Sequence, residues 1–229
     1  MAPKIVILTE PKHSVVLLAM IEHVAPDAVV RFLSDERDLR DWFATEPPSP
    51  EQPVRFLAFF TAVVVPPDIL AGLGGPAYNF HPGPPAYPGR YPVAMALYDG
   101  ARRFGATLHV MSPRVDSGPI VSVVEFEVAD DADLDWLNTR THKAGLRLFQ
   151  HACPALVRSS APLPTLDRAW SDRRSTRRSV ERLCDIPPDI EPDELDRRLR
   201  AFAQLAPQPF RMTLHGRRFH LVPDGTDPG

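Results

Sequence analysis

A chain of 229 residues, 44% hydrophobic and 24% charged, has the composition of a soluble globular protein and the length of one α/β domain with an appendage. Its formal net charge of -3 gives no global reason to expect nucleic acid or an acidic membrane as partner. Apolar runs such as residues 56–65 fall well short of the roughly 20 residues a spanning helix needs, and the opening MAPKIVIL lacks the pattern of a signal peptide, so a cytoplasmic location is expected.

The elements follow in chain order. Residues 4–8 form a β-branched run that predicts a buried strand. Residues 13–24 predict a helix with Val16, Leu17, Met20, Ile21 and Val24 on one side. Residues 28–33 predict a second strand. Ser34 is the expected cap of the next helix, with Arg37 rather than an acid three residues on. Residues 54–60 predict a third strand, 66–73 a short helix opened by two prolines, and 77–80 a short fourth strand. A helix over 93–99, strands over 107–111 and 120–128, and a long helix over 133–156 complete the expected core. This alternation predicts an α/β fold: a Rossmann-like, mostly parallel sheet with helices on both faces, plus a small C-terminal helix and β-hairpin. The sequence after the first strand, Thr9, Glu10, Pro11 and Lys12, lacks the glycine fingerprint of a dinucleotide site.

Beyond residue 157 the composition changes. Residues 158–190 are expected to act as a linker between a catalytic domain at 1–157 and a C-terminal unit at 191–229. Most of the 27 prolines fall in short stretches expected to break helix and strand, one of them beginning at Pro154. In the tail, residues 189–205 predict a helix, and 210–222 predict a hairpin around His215 and Gly216. Two strands alone are marginal, so the hairpin is expected to pack on its own core or on a second copy, giving a homodimer. Cys153 and Cys184 match no metal or redox spacing and are expected to be free thiols.

Two segments carry chemistry. The first is Tyr78, Asn79, Phe80, His81, Pro82 and Gly83, running on to Tyr87, Pro88 and Gly89. Strand alternation puts Asn79 and His81 on one side, at the carboxyl end of a strand where open sheets bind ligands. An amide and an imidazole together can donate to one oxygen, as a developing oxyanion requires. The second is Val115, Asp116, Ser117, Gly118, Pro119 and Ile120, preceded by Gly105, Thr107, His109 and Met111. Asp116 is suited to orient the histidine. Each segment alone fits a plain structural turn.

Together and in this order they resemble the folate-dependent formyltransferases, a family that includes glycinamide ribonucleotide, methionyl-tRNA and sugar-nucleotide N-formyltransferases. The tail, with Arg200, Ala201 and Phe202 before a hairpin, is similar to the tRNA and sugar branches. The resemblance implies that Asn79 and His81 bind the formyl oxygen, and that Asp116 holds His81 charged and assists proton movement. It implies 10-formyltetrahydrofolate as donor, its pterin lying against Thr61, Ala62, Val63, Val64, Val65 and Val115. The acceptor it implies is a small-molecule amine, with an amino sugar nucleotide favoured. A tRNA acceptor is disfavoured, because that branch carries a sizeable domain where a short tail follows here. The same trio would also serve a 10-formyltetrahydrofolate hydrolase or remain in a non-catalytic folate-binding protein.

The chain departs from the family pattern after the histidine. It reads Gly83, Pro84, Pro85, Ala86, Tyr87, Pro88, Gly89 and Arg90 where the family has Ser-Leu-Leu-Pro and then Arg-Gly. His109 is expected to be a packed or pocket-wall residue, and the remaining histidines form no metal-ligand spacing, so no metal is expected. The basic run Arg168, Arg173, Arg174, Arg177, Arg178 and Arg182 suits a phosphate or nucleotide, but Asp167, Asp172 and Glu181 favour a solvated face.

Overall fold

The computed structural model describes residues 4–49, 53–205 and 209–221. Six strands form the main sheet: β1 (Lys4–Thr9), β2 (Val29–Leu33), β3 (Val54–Phe59), β4 (Tyr78–His81), β5 (Arg103–Val110) and β6 (Ile120–Glu127). Their order is β2-β1-β3-β4-β5-β6. The first four are parallel, whereas β5 runs antiparallel to β4 and β6 antiparallel to β5.

Alternation along the strands supplies two cores. Ile5, Ile7, Leu57, Phe59, Tyr78 and Phe80 face one side, under Leu17 and Ile21 of α1 (Pro11–Val24) and Leu148 and Phe149 of α5 (Leu134–Arg158). Val6, Leu8, Phe56 and Ala58 face the other, under Leu39 and Trp42 of α2 (Glu36–Thr45) and Ile69 of α3 (Pro67–Gly72). A third core joins α4 (Pro92–Asp99) to α6 (Arg177–Leu183), β7 (Asp185–Ile186) and α7 (Pro192–Phe202), through Leu97, Phe104, Leu137, Val180, Ile186, Phe202 and Phe210.

Several expectations are corrected. Asp35, not Ser34, caps α2, its side chain accepting from the Asp38 amide; the Ser34 hydroxyl instead donates to the Asp38 carboxylate at 2.7 Å. Pro154 breaks nothing: it lies inside the last turns of α5. The strand β5 begins at Arg103, four residues before the expected start, and Gly105 lets β6 approach, since a Cβ there would stand 2.0 Å from the Val124 carbonyl oxygen. The polar stretch after residue 157 contains α6, opened by a reciprocal cap between Thr176 and Ser179.

The expected hairpin is β8 (Arg211–Leu214) and β9 (Arg217–His220), turning through His215 and Gly216, both at positive φ. Its packing on its own core comes from Phe210 and Met212, and β7 adds a third strand beside β8. Val222, the expected last residue of the hairpin, lies outside the described residues. Both cysteines are buried and free. Among the described residues no helix is long and apolar enough to cross a membrane.

One buried cation ties the C-terminal end of α5 to the sheet. Arg55 of β3 is 8% exposed and lies over the Tyr78 ring at 5.3 Å. Its guanidinium donates to the carbonyls of Leu156 (3.2 Å), Pro76 (3.4 Å), Ala161 (3.2 Å) and Ser159. The carbonyls at the end of a helix lack intrahelical partners and carry its negative pole, so a cation is favoured there.

Candidate active site

The strand β4 ends on Asn79 and His81, two residues apart and therefore on one side of the sheet. The chain then turns at Pro82 and Gly83. Here a glycine is required, because a Cβ would stand 2.8 Å from His81 Nε2 and 2.9 Å from the Pro92 side chain. Thr107 Oγ1 donates to the Gly83 carbonyl at 2.7 Å and fixes the turn against β5. Asp116 comes from the loop between β5 and β6, with φ at 46°, an uncommon conformation for a residue with a side chain.

These three side chains meet, and His109 joins them. Asp116 Oδ2 accepts from the Gly89 amide at 2.8 Å and lies 3.4 Å from His81 Nδ1. Asp116 Oδ1 lies 3.4 Å from His109 Nε2 and 3.5 Å from Asn79 Nδ2. His109 sits directly opposite Asn79 in the antiparallel β4–β5 ladder. Its Nδ1 donates to the Val110 carbonyl, which leaves Nε2 to accept an Asn79 amide hydrogen at 3.0 Å. The second Asn79 amide hydrogen is directed at Asp116 Oδ1, over the longer distance. The Trp170 ring packs near perpendicular to both histidines, with centroids 5.6 Å from His81 and 5.0 Å from His109.

Electrostatics follow from burial and these contacts. Burial pushes the Asp116 carboxyl's pKa up, but His81, His109 and the Gly89 amide outweigh it and hold it at about 2. The His81 ring is 3% exposed, and burial pulls its pKa below the ordinary value, with Asp116 and the Tyr87 carbonyl opposing. The lowered value favours the neutral ring at rest. Its Nε2 proton is donated to the Tyr87 carbonyl at 2.9 Å, and its Nδ1 faces Asp116. A second proton on the ring would find an acceptor already in place.

Asn79, His81 and Asp116 border a cavity of about 1230 Å³. That exceeds the roughly 300–1,000 Å³ of a pocket for one small ligand. Thr61, Ala62, Val63, Val64, Val65 and Val115 all line it, with Val64 and Val115 holding much of their apolar surface in solvent. Another part of the wall is made by Lys12, His13, Phe60, Asn138, His142 and Lys143. Gly145 makes room for Phe60 there, since a Cβ would meet the ring at 2.4 Å.

His13 is 4% exposed and stacks on His142 at 4.9 Å. Burial first, then His142 and Lys12, with Glu10 opposing, lower its pKa from 6.5 to about 4. The folded value lies below the unfolded one, so its contribution to stability is complete above about pH 6.5 and is lost as pH falls toward 4. Urea unfolding is expected to show wild-type stability dropping over that window by about 3 kcal/mol more than that of His13→Phe. Equal drops in the two proteins would contradict this.

Three of the six arginines of the basic run are committed to acids: Arg168 to Glu125, Arg173 to Asp99 and Arg177 to Glu181. Arg174 differs, because its guanidinium donates to the main-chain carbonyls of Val115 and Asp116. Sequence reasoning ranked His109 low and passed over Trp170 and the backbone groups of Tyr87 and Gly89. The strand alternation that paired Asn79 with His81 carried no information on which β5 residue would lie opposite.

Comparison with known proteins adds four findings. The family model described as formyl transferase matches residues 35–153. A phosphoribosylglycinamide formyltransferase of Mycobacterium tuberculosis is 36% identical over 92 residues, which are 40% of this chain and 43% of the relative, so the likeness spans less than half of that protein. Among solved structures, a 4-N formyltransferase from Francisella tularensis superposes with a TM-score of 0.72 at 17% identity, covering 96% of both chains. A formyltransferase from Anoxybacillus kamchatkensis, solved with UDP-4,6-dideoxy-4-formamido-L-AltNAc and tetrahydrofolate, covers 78% of this chain and 88% of its own, with TM-score 0.62 and 18% identity. At these identities the structural likeness speaks to the fold.

Proposed function

This chain belongs to the formyl transferase family, and on that premise we propose that it moves a formyl group from 10-formyltetrahydrofolate to the amine of a small molecule, an amino sugar nucleotide being the favoured acceptor class. The observation that carries this reading is the convergence of Asn79, His81 and Asp116 at the carboxyl end of β4, on the wall of one cavity large enough for two substrates. Residues 61–65 and Val115 would take the pterin, and the Lys12 and Lys143 side of the cavity would take the acceptor. The Anoxybacillus relative, with a formamido sugar nucleotide and tetrahydrofolate bound, supports the pairing of these substrate classes.

The chemistry is proximity, charge stabilisation and one proton transfer. The neutral amine attacks the formyl carbon, and negative charge develops on the formyl oxygen. Asn79 turns toward it the amide hydrogen that rests on Asp116 Oδ1. His81 shifts its Nε2 proton from the Tyr87 carbonyl toward the same oxygen. The proton lost by the amine enters the His81–Asp116 pair, directly or through water, and the charged ring is then held by the Asp116 carboxylate. Collapse of the intermediate breaks the bond to the folate nitrogen, which takes up a proton as tetrahydrofolate leaves. Burial of His81 and Asp116 limits competition from water.

The test is the absorbance change on conversion of 10-formyltetrahydrofolate to tetrahydrofolate, with a panel of amino sugar nucleotides, amino acids and aminoacylated tRNA. Turnover that requires one small amine is the expected result. Turnover without amine would assign the site to hydrolysis, and a requirement for tRNA would overturn the acceptor class.

We also propose a homodimer through the hairpin. Its support is the outer strand β9, where Phe219 is 51% exposed on an edge that carries no further strand among the described residues. Light scattering at micromolar concentration is expected to give twice the chain mass; a monomer would contradict it.

A further inference from the structure

Residues 166–176 lie outside the region matched by the family model, yet they bind both loops that build the site. The Leu166 amide donates to the Ile120 carbonyl at 2.7 Å, and Trp170 Nε1 to the Gly118 carbonyl at 2.8 Å. On the other loop, Ser171 N donates to Pro85 O at 2.9 Å and Ser175 N to Pro88 O at 3.0 Å, while Arg90 N donates back to Ser175 O at 3.0 Å. The segment is a strap stitched across the two loops.

Arg174 sits at its centre. Its guanidinium donates to the carbonyls of Val115 and Asp116, the second at 3.1 Å, so one planar fork grips two successive carbonyls at Asp116. Asp116 is also one of the described non-glycine residues at positive φ. That backbone is disfavoured for a residue with a Cβ and persists only where its surroundings impose it. The next residue of the strap acts on the other side of the same carboxylate. Ser175 pairs with Gly89, whose amide donates to Asp116 Oδ2 at 2.8 Å. Gly89 has φ at 99°, and a Cβ there would stand 2.1 Å from the Ser175 carbonyl oxygen, so the approach is possible only for glycine. The carboxylate is thus set from behind through its own backbone and from the front through Gly89.

We infer that Arg174 is a positioning residue, which holds Asp116 in the left-handed conformation that aims its carboxylate at His81, His109 and Asn79. This rests on the formyl-transfer reading for its kinetic consequence, but not for its structural one. Without the guanidinium, two carbonyls lose their donor and the backbone is free to relax toward an ordinary conformation. The carboxylate would then swing away from His81 Nδ1 and the Gly89 amide. The placement of Arg174 on the cavity wall raises a distinct alternative, a direct contact to an anionic substrate.

Two readouts separate these. In Arg174→Met, kcat for formyl transfer is expected to fall about 30-fold with donor and acceptor KM changing less than about 3-fold, in line with the cost of a misplaced catalytic group. In nitrogen-15 spectra the Gly89 amide proton, hydrogen-bonded to a carboxylate, is expected to move upfield in the direction seen in Asp116→Asn. Arg174→Lys, which cannot span both carbonyls, is expected to lie between Met and wild type in both measurements; it also carries the test if the Met variant does not fold. A raised acceptor KM with unchanged kcat and an unmoved Gly89 amide would overturn the inference in favour of anion binding. An unmoved Gly89 amide with unchanged kinetics would overturn it outright. A wild-type protein that transfers no formyl group would refute the reading of function, while the Gly89 amide would still decide the role of Arg174.

Discussion

Replacing His81 by alanine is expected to lower kcat for formyl transfer by about 10³-fold, with the dissociation constant for tetrahydrofolate changed only a few fold. Removing a positioned acid or base costs about 10²–10⁴-fold. Three facts place His81 at that level. It is buried at 3% exposure, so water cannot easily replace it. Its Nε2 proton is presented against the Tyr87 carbonyl, and its Nδ1 lies 3.4 Å from Asp116. Burial lowers the ring's pKa and so favours the neutral form, which is able to gain a proton. The variant also leaves Asp116 buried with one fewer neighbour to stabilise its charge, so the carboxyl's pKa is expected to rise. Asn79→Ala removes a donor to the developing oxyanion, a loss expected to cost about 10²–10³-fold. The two substitutions together are expected to cost less than the product of the single effects, since both act on one oxygen. Steady-state kinetics and direct folate titration check this. A His81→Ala protein with more than about a tenth of wild-type kcat would remove the ring from the chemistry.

The second large effect is on stability. Arg55→Met is expected to destabilise the fold by about 3 kcal/mol or more, because it leaves buried carbonyls without a donor. Methionine fills a similar volume, so lost packing is a minor part. The guanidinium joins Pro76, just before β4, to Leu156 at the end of α5 and to Ser159 and Ala161 beyond it. Tyr78, under the guanidinium, accepts the Leu163 amide on its hydroxyl at 2.8 Å. These contacts fix the chain where it leaves α5 and turns toward the strap over the active site. Urea unfolding at neutral pH measures the effect. A change below about 1 kcal/mol would mean that water satisfies those carbonyls as well as Arg55 does.

The parts of the fold that were legible in the sequence are those with a strong period. The centres of β1 (residues 5–8) and β3 (residues 56–59) are continuous apolar runs because helices cover both faces, and α5 shows its buried stripe over many turns. Local competition decided the misses. Ser34 and Asp35 are both good caps; Asp35 takes the role by accepting from the Asp38 amide, while the Ser34 hydroxyl donates to the Asp38 carboxylate. Helix α6 buries only Val180, so no stripe announces it, and its reciprocal cap uses Ser179 where an acid or amide is the usual signal.

At the site, Asn79, His81 and Asp116 could be read from strand alternation and ordered motifs. His109 could not, because its contact with Asn79 depends on the antiparallel register of β5, which only the folded sheet supplies. Arg174 was hidden among arginines that do form the solvated pairs a charge run predicts. What distinguishes it is a main-chain partner 58 and 59 residues away in sequence, and no spacing rule reports such a contact.

The most direct test of formyl transfer by this site is to follow a carbon-13 formyl group on 10-formyltetrahydrofolate by NMR, with and without an amino sugar nucleotide. The expected result is a formamide signal on the acceptor nitrogen that appears only when the amine is present and grows about 10²–10³-fold more slowly in Asn79→Ala. Label recovered as free formate, at the same rate with or without amine, would contradict transfer and leave the site a hydrolase.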